Sequence, residues 1–328
     1  MRKCFAILNS NKNLLSVGLL LISTSLLGQE TGAAAASGPE VNPNQVAILR
    51  WYRANQTASF PVGKGAGQVA FDGSSIWVSN STANTVTKLR ASDGASLGEF
   101  HAGSSPTGMA FDGADIWVAD QGASSVTKLR ASDGTSLGTF PVGSSPFAVA
   151  FDGVNIWVVN LGANSVTKLR ALDGKVLGTF PVGASPQGIA FDGTSIWVAN
   201  TGDSTITKLR ATDGAKLGTF TAGTGPDALA FDGVNMWVSN QGSNNVTKLA
   251  LDGTVIGTFP VGSLPQSVVC DGVNIWVTNF SSNTVTKLRA SDGALIGTFA
   301  TGKFPEGAAF DGANVWVVNA GNNTVSKR

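Results

Sequence analysis

The sequence predicts an all-β protein, and three regular features of the chain support this. Seven tryptophans recur about 40 residues apart, at positions 77, 117, 157, 197, 237, 276 and 316. Each interval contains four short apolar runs, and Asp-Gly pairs stand between most of the runs that would form hairpins. A fixed period near 40 with four β-rich runs is typical of a propeller blade. The sequence therefore predicts a seven-bladed β-propeller with four-stranded antiparallel blades.

The copy at residues 141–180 shows how the strands of one blade are predicted. Its four apolar runs end at Phe151 and span 156–159, 166–169 and 176–180. Asp152-Gly153 and Asp173-Gly174 lie in the two hairpin turns, because Gly adopts positive φ without steric cost and Asp tolerates the turn. The second run is apolar throughout, as expected of a strand packed on both faces by neighbouring blades.

The two ends of the chain predict how the ring closes. The last copy stops at Arg328 after only three apolar runs. Residues 46–60 align without gaps on residues 86–100, which places Phe60 at the end of a fourth strand. The N-terminal strand is therefore predicted to complete the last blade, a closure that hides unpaired strand edges.

The first 36 residues have the pattern of a secretory signal. Arg2, Lys3 and Lys12 precede an apolar stretch that ends near Leu27, and small residues follow at 33–36. The predicted organisation is a signal peptide at 1–36, a linker at 37–45 and the propeller at 46–328. We expect the mature protein to be extracytoplasmic, either secreted or in the periplasm or cell envelope, with no membrane span after cleavage.

The composition excludes several kinds of site. Lys and Arg total 22 against 21 Asp and Glu, a formal charge of +1, so there is no basic excess for nucleic-acid binding. One His and two Cys are too few for a zinc ribbon or a His-rich metal centre, and no cofactor or metal is expected. Cys4 lies in the predicted signal, which leaves Cys270 as the only thiol and permits no intramolecular disulfide.

Residues that recur in every copy are interpreted as parts of the blade itself. The Asp of the first Asp-Gly turn is expected to accept hydrogen bonds within its own turn, rather than to ligate calcium. The tryptophans are expected to pack between blades. The Lys of the third strand is expected to be solvated. Cys270, which replaces a Phe, is expected to be a buried small apolar residue.

Positions that differ between copies lie mostly on one face of the predicted disc. Strands alternate in direction, so both Asp-Gly turns fall on one face, and the crossovers and the loops after the second strand fall on the other. The residue after the crossover Pro begins the innermost strand and should line the mouth of the central channel. Exposed apolar side chains beside polar ones are typical of binding surfaces. The candidate ligand-binding residues are Thr107, Phe147, Leu161, Gln187, Asp227, Gln266, Phe280, Phe304 and Glu306.

Three short motifs of the repeat are Trp197-Val198-Ala199-Asn200, Asn84-Thr85-Val86 and Pro186-Gln187-Gly188. With these motifs the repeat resembles the 40-residue YVTN-type β-propeller family, which is related to NHL and virginiamycin B lyase-like propellers, although this chain has Trp where the family motif has Tyr. The resemblance covers about residues 46–328 and implies the fold more than a function. The lyase relatives use a His/Glu cluster with a divalent metal. The only His here is His101, at a blade junction, so the resemblance assigns no catalytic residue.

These observations favour a non-catalytic binding or scaffold module that acts through its variable face. Its partner would be an extracytoplasmic protein, a glycan or a small molecule. One alternative is a lyase or hydrolase that uses carboxylates near Asp227 and Glu306, although nothing in the sequence places the two at a catalytic separation. A second alternative is a structural protein of the cell surface, which would self-associate.

Overall fold

The computed structural model describes residues 58–328, which form 28 β-strands and one short 3₁₀ turn. The strands pair into seven four-stranded antiparallel sheets. This confirms the predicted seven-bladed β-propeller. The predicted signal peptide and linker, and residues 46–57 of the predicted propeller, lie outside the described residues.

In blades one to six the strands follow chain order from the innermost to the outermost, and blade seven has the order β26, β27, β28, β1. The first strand of the described chain is β1 (Ala58–Pro61). Blades one and two contain β2 (Ala66–Phe71), β3 (Ser75–Asn80), β4 (Thr85–Arg90), β5 (Ser96–His101), β6 (Pro106–Phe111), β7 (Asp115–Asp120), β8 (Ser125–Arg130) and β9 (Ser136–Pro141). Blades three and four contain β10 (Pro146–Phe151), β11 (Asn155–Asn160), β12 (Ser165–Arg170), β13 (Val176–Pro181), β14 (Pro186–Phe191), β15 (Ser195–Asn200), β16 (Thr205–Arg210) and β17 (Lys216–Thr221), with the 3₁₀ turn at Leu161–Ala163. Blades five to seven contain β18 (Pro226–Phe231), β19 (Met236–Asn240), β20 (Asn245–Leu249), β21 (Val255–Pro260), β22 (Pro265–Cys270), β23 (Asn274–Asn279), β24 (Thr284–Arg289), β25 (Leu295–Ala300), β26 (Pro305–Phe310), β27 (Val315–Asn319) and β28 (Thr324–Lys327).

The ring closes as the sequence predicts. Strand β1 pairs with β28 and forms the outer strand of blade seven, with Phe60 opposite Val325. The Phe60 ring lies 5.5 Å from the Trp316 ring, the same arrangement that Phe100 makes with Trp77 in blade one. The inner strands of consecutive blades contact one another, and β26 contacts β2. Strand β1 therefore covers the edge of β28, and the last blade packs against the first.

Each first hairpin turn is organised by its Asp, as expected. In blade three, one carboxylate oxygen of Asp152 accepts hydrogen bonds from the backbone N–H groups of Val154 and Asn155, at 2.9 and 2.6 Å. The other oxygen accepts the indole N–H of Trp157 at 2.8 Å. The same indole bond recurs in all seven blades, so the Asp ties the turn to the blade's tryptophan.

The tryptophans pack between blades, which confirms the prediction. Six of them are fully buried, and Trp157 belongs to an apolar cluster that contains Ile196, Val198 and Leu209 of the following blade. Among the described residues, the outer Phe of every blade except blade six covers the next blade's second turn. Gly174, at φ +71, must be glycine there because a Cβ would overlap the Phe140 ring.

The recurring lysines are not solvated, so that expectation was wrong. Lys168 is buried, and its ammonium lies 5.0 Å from the centre of the Trp157 ring. It donates a 2.7 Å hydrogen bond to the Ala211 carbonyl of the following blade. Lys88, Lys128, Lys208, Lys248 and Lys327 make the corresponding bond at 2.6–2.8 Å. A sequence repeat cannot show this burial, because the carbonyl and the covering surface come from another blade.

The crossovers are also held in place. The buried Asn160 side chain donates to the hydroxyls of Ser165 and Thr167, and its oxygen accepts the backbone N–H of Gly143 in the crossover. Asp120 takes the place of this Asn in blade two, and burial raises the pKa of its carboxyl. These bonds hold the backbone of the crossovers, and the variable side chains lie on the same face of the disc as the crossovers. Residues 58–328 contain no helix that is long and apolar enough to cross a bilayer.

We predict that Lys168→Met weakens the contact between blades three and four. The substitution keeps the aliphatic stem but removes the ammonium, which leaves the Ala211 carbonyl without its donor and the Trp157 ring without its cation. The free energy of unfolding should fall by about 1–3 kcal/mol, measured by urea denaturation. Lys175→Met, at an exposed position of the same blade, is the control. Equal stability of the two variants would contradict this role.

Candidate functional site

Six of the nine predicted site residues occupy one equivalent position in the fold. Each is the second residue of an innermost strand, so the ring places them around its centre at the beginning of those strands. They are Thr107, Phe147, Gln187, Asp227, Gln266 and Glu306.

A β-bulge lies at this position in every blade. In β10, Pro146 pairs with Asn160 and Ala148 pairs with Val159, which leaves Phe147 as an extra residue. The other six inner strands show the same shift of register after their first residue. Bulges change the direction of a side chain and are common near functional sites. Here they mark the part of each inner strand that lines the channel.

Two neighbouring cavities occupy the channel. The first has a volume of about 240 Å³, and its walls include Thr107, Phe147 and Glu306. The second has a volume of about 160 Å³, and its walls include Phe147, Gln187, Asp227 and Gln266. Gln68 and Phe147 line both cavities. All six predicted channel residues therefore do line this space.

The channel brings two carboxyl groups into electrostatic contact. Asp227 is only 8% exposed, and burial, together with the nearby charge of Glu306, raises the pKa of its carboxyl to about 8. Burial likewise raises the pKa of Glu306 to about 7. The sequence alone gives no reason to place these side chains together, because they belong to blades five and seven. Each is the second residue of its inner strand, so the two residues lie at the same level along the channel.

Gln68 is a channel residue that the sequence analysis missed. It follows Gly67 in blade one, and its side chain interacts with Glu306 by hydrogen bonding, which lowers the pKa of that carboxyl and partly offsets the effect of burial. Gly67 has no side chain to contribute, and in β2 the shift of register extends over both residues. The absence of a side chain at position 67 is the sequence signal that could have predicted a channel position for the next residue, Gln68.

An apolar rim lies on the same face, in blades six and seven. The Phe280 and Phe304 rings stack at 4.9 Å with an angle of 17° between their planes. Phe304 is 43% exposed, and Leu264, at the same position of the previous crossover, is 38% exposed. We call Leu264, Phe280 and Phe304 the apolar rim. Leu161 lies in blade three, on the other side of the ring, and is not part of it.

The apolar rim has an unusual backbone. The residue before each inner strand has positive φ in all seven blades, and five copies have Gly or Ser there: Gly65, Ser105, Ser145, Ser185 and Gly225. Leu264 and Phe304 adopt φ +50 and +54 at this position. A bulky side chain with positive φ is a steric outlier that costs about 1–2 kcal/mol. The sequence comparison of the copies shows the substitution but not the strain.

The remaining chemically reactive residues lie away from the channel. His101 is exposed at the end of the outer strand β5, opposite Thr85. Cys270 is part-buried against the apolar cluster of blade six, as expected of a small apolar residue, although its burial is incomplete. Among residues 58–328 there is no group of three or more His, Cys, Asp or Glu arranged to hold a metal ion.

Comparisons with solved structures show the same architecture. A hydrazine synthase chain from Kuenenia stuttgartiensis has a TM-score of 0.71 at 17% identity, covering 80% of this chain and 95% of that one. A streptogramin B lyase has a TM-score of 0.70 at 18% identity, covering 83% and 96%. An inactive variant of virginiamycin B lyase from Staphylococcus aureus, with quinupristin, has a TM-score of 0.71 at 16% identity, covering 83% and 98%.

The structural neighbours therefore include virginiamycin B lyase-like seven-bladed propellers, and at these identities the likeness shows the fold alone. No protein-family model matches the chain, and no curated protein matches it significantly.

We predict that Asp227→Asn stabilises the protein and that the gain grows with pH. In the folded state the carboxyl keeps its proton up to about pH 8, whereas in the unfolded chain it ionises near pH 4. Stability of the wild type is therefore lost between these values, by at most about 1.4 kcal/mol per pH unit from this group. Denaturation of wild type and variant at pH 5, 7 and 9 measures the difference between their free energies of unfolding.

Asp213→Asn is the control for this substitution. Asp213 is exposed and paired with Arg210, and its pKa is lowered, chiefly by the hydrogen bond from the Ala215 backbone N–H. Its removal should not produce a gain that increases with pH. A constant difference between Asp227→Asn and wild type from pH 5 to pH 9 would show that the carboxyl is not buried as described.

Proposed function

We propose that the protein is an extracytoplasmic binding module built from YVTN-type repeats, with its binding surface on the face that carries the crossovers. The predicted signal at residues 1–36 supports the location. The blade architecture supports the choice of face. The recurring Asp, Trp and Lys are engaged within and between blades, while the crossover face carries the residues that differ between copies.

The observation that carries this proposal is the apolar rim. Leu264 and Phe304 are bulky, exposed and strained at positions where five other crossovers have Gly or Ser. Neither stability nor solubility accounts for such a choice, since a smaller residue is available and is used elsewhere in the same chain. Strain that persists at an exposed apolar site is typical of function. The rim would supply the apolar contact area, and the adjacent channel would receive a group that projects from the partner.

The test compares a double substitution in the apolar rim with a single substitution of an exposed Leu on the opposite face. Leu264→Ser/Phe304→Ser adopts the residue that other crossovers already have, so its melting temperature should not fall. Leu172→Ser removes an 85% exposed Leu from a turn on the opposite face. We expect wild type and Leu172→Ser to capture the same partner from extracellular and envelope fractions, and the rim variant to lose it. Direct titration with the purified partner then confirms the loss.

Equal capture by all three proteins would place the binding surface elsewhere. If none of the three captures a partner, the proposal of a macromolecular partner at the rim fails.

A lyase or hydrolase is the second candidate, and one observation favours it. The carboxyls of Asp227 and Glu306 face one channel, and their pKa values of about 8 and 7 suit general acid–base catalysis near neutral pH. Since one structural neighbour is a virginiamycin B lyase studied with quinupristin, quinupristin is the substrate to test. This candidate predicts its consumption, measured by chromatography, and loss of the activity in Asp227→Asn and Glu306→Gln. No consumption, or full activity in both variants, would exclude these roles.

A further inference from the structure

We propose that the channel binds a primary alkylammonium group, with the carboxylates of Asp227 and Glu306 as its acceptors. The inference deepens the proposed binding function and rests on it, because it names the chemical group that the channel receives. A primary ammonium has three N–H donors and one positive charge.

The two carboxylates and Gln266, which lies between them, come from three consecutive blades. Asp227 belongs to β18, Gln266 to β22 and Glu306 to β26, and each is the second residue of its strand. The bulge at that position directs all three toward the channel. Since the inner strands of neighbouring blades contact each other, the three side chains form one continuous arc of the wall.

The Asp227 carboxylate lacks a donor, whereas Glu306 interacts with Gln68. Asp227 is 8% exposed and accepts no hydrogen bond from any residue between 58 and 328. Buried polar atoms in native proteins are nearly always hydrogen-bonded, so each such atom requires an explanation. A donor that arrives with a ligand is one.

The channel also lacks a compensating positive charge. Neither cavity has a Lys or Arg in its wall. The strands packed against β18 are β14, β15, β19 and β22, and those packed against β26 are β2, β22, β23 and β27. None of them carries a charged side chain, and their only other titratable group is Cys270, at the far end of β22. A cation from outside is the charge that this site can accept.

The opposite wall of the channel suits an alkyl chain better than a metal ion. Phe147 belongs to blade three, across the ring from blades six and seven, and Met109, Ile189 and Leu229 line the same cavity. Calcium takes six to eight oxygen ligands, and apolar side chains provide none. A methylene chain would bury apolar surface against this wall, while its ammonium reaches the two carboxylates.

The experiment titrates the full chain with n-butylammonium chloride by calorimetry. Tetramethylammonium chloride, which has the same charge but no N–H group, and calcium chloride are the comparison probes. We expect n-butylammonium to bind, tetramethylammonium to bind at least about tenfold more weakly, and calcium not to compete. Asp227→Asn and Glu306→Gln should each lower the affinity for n-butylammonium about tenfold or more, whereas Asp213→Asn should leave it unchanged.

Proton release provides a second readout. The carboxyls must lose their protons to pair with the ammonium, so the affinity for n-butylammonium should rise from pH 6 to pH 8 and stay high until the amine itself deprotonates near pH 10. Titrations in buffers of different ionisation enthalpy should show release of protons on binding at pH 7, and less release in Asp227→Asn. Melting curves of both variants show that each is folded.

The ammonium could belong to a free amine or to a lysine side chain, and N-acetyl-lysine amide separates the two sources. Binding of both probes indicates that the channel mouth admits a lysine of a partner, and binding of n-butylammonium alone indicates a free amine. Either result supports the inference. Absence of n-butylammonium binding, equal binding of tetramethylammonium, or tighter binding of calcium overturns it. Loss of partner capture in the rim variant would still support the proposed function, so the two proposals fail separately.

Discussion

The structure depends on a contact that repeats around the ring, in which an Asp, a Trp and a Lys of one blade join the next blade. The Asp accepts the indole N–H, and the Lys ammonium lies 4.5–5.1 Å from the centre of the indole ring. In six blades the Lys also donates a hydrogen bond to a carbonyl of the following blade. A buried ammonium without acceptors is very unfavourable. Each blade therefore needs its neighbour, and Lys327 completes the ring by reaching Ala91 of blade one.

This arrangement separates stability from recognition. The residues that join blades are common to all copies and lie along the strands and on the face of the Asp-Gly turns, whereas the crossover face carries Leu264, Phe304 and the channel positions. Hydrogen bonds such as that from Gly143 to Asn160 hold the crossovers. Side chains there can change without disturbing the joints between blades. Two consequences are bulky residues on a strained backbone and two buried carboxyls in one channel, of which Asp227 has no donor among residues 58–328.

The sequence predicts much of the fold because its signals are local and repeated. The period and the Asp-Gly turns are sufficient to predict the number of blades and the order of the strands. The alignment of residues 46–60 on 86–100 is sufficient to predict the closure through Phe60. The burial of Lys168 was predicted wrongly, because its acceptor belongs to another blade. Gln68 was missed, because the bulge that brings it to the channel is a property of strand pairing.

By itself, the sequence determined the seven-bladed architecture, the face on which copies differ and the residues at the channel mouth. Only the tertiary structure decided that Asp227 and Glu306 line one channel and interact electrostatically, and that Leu264 and Phe304 have a strained backbone. The physical reason is that turn and strand preferences act within a few residues. Desolvation and electrostatic interaction, in contrast, depend on distances across the ring, and these exist only after the seven blades have closed.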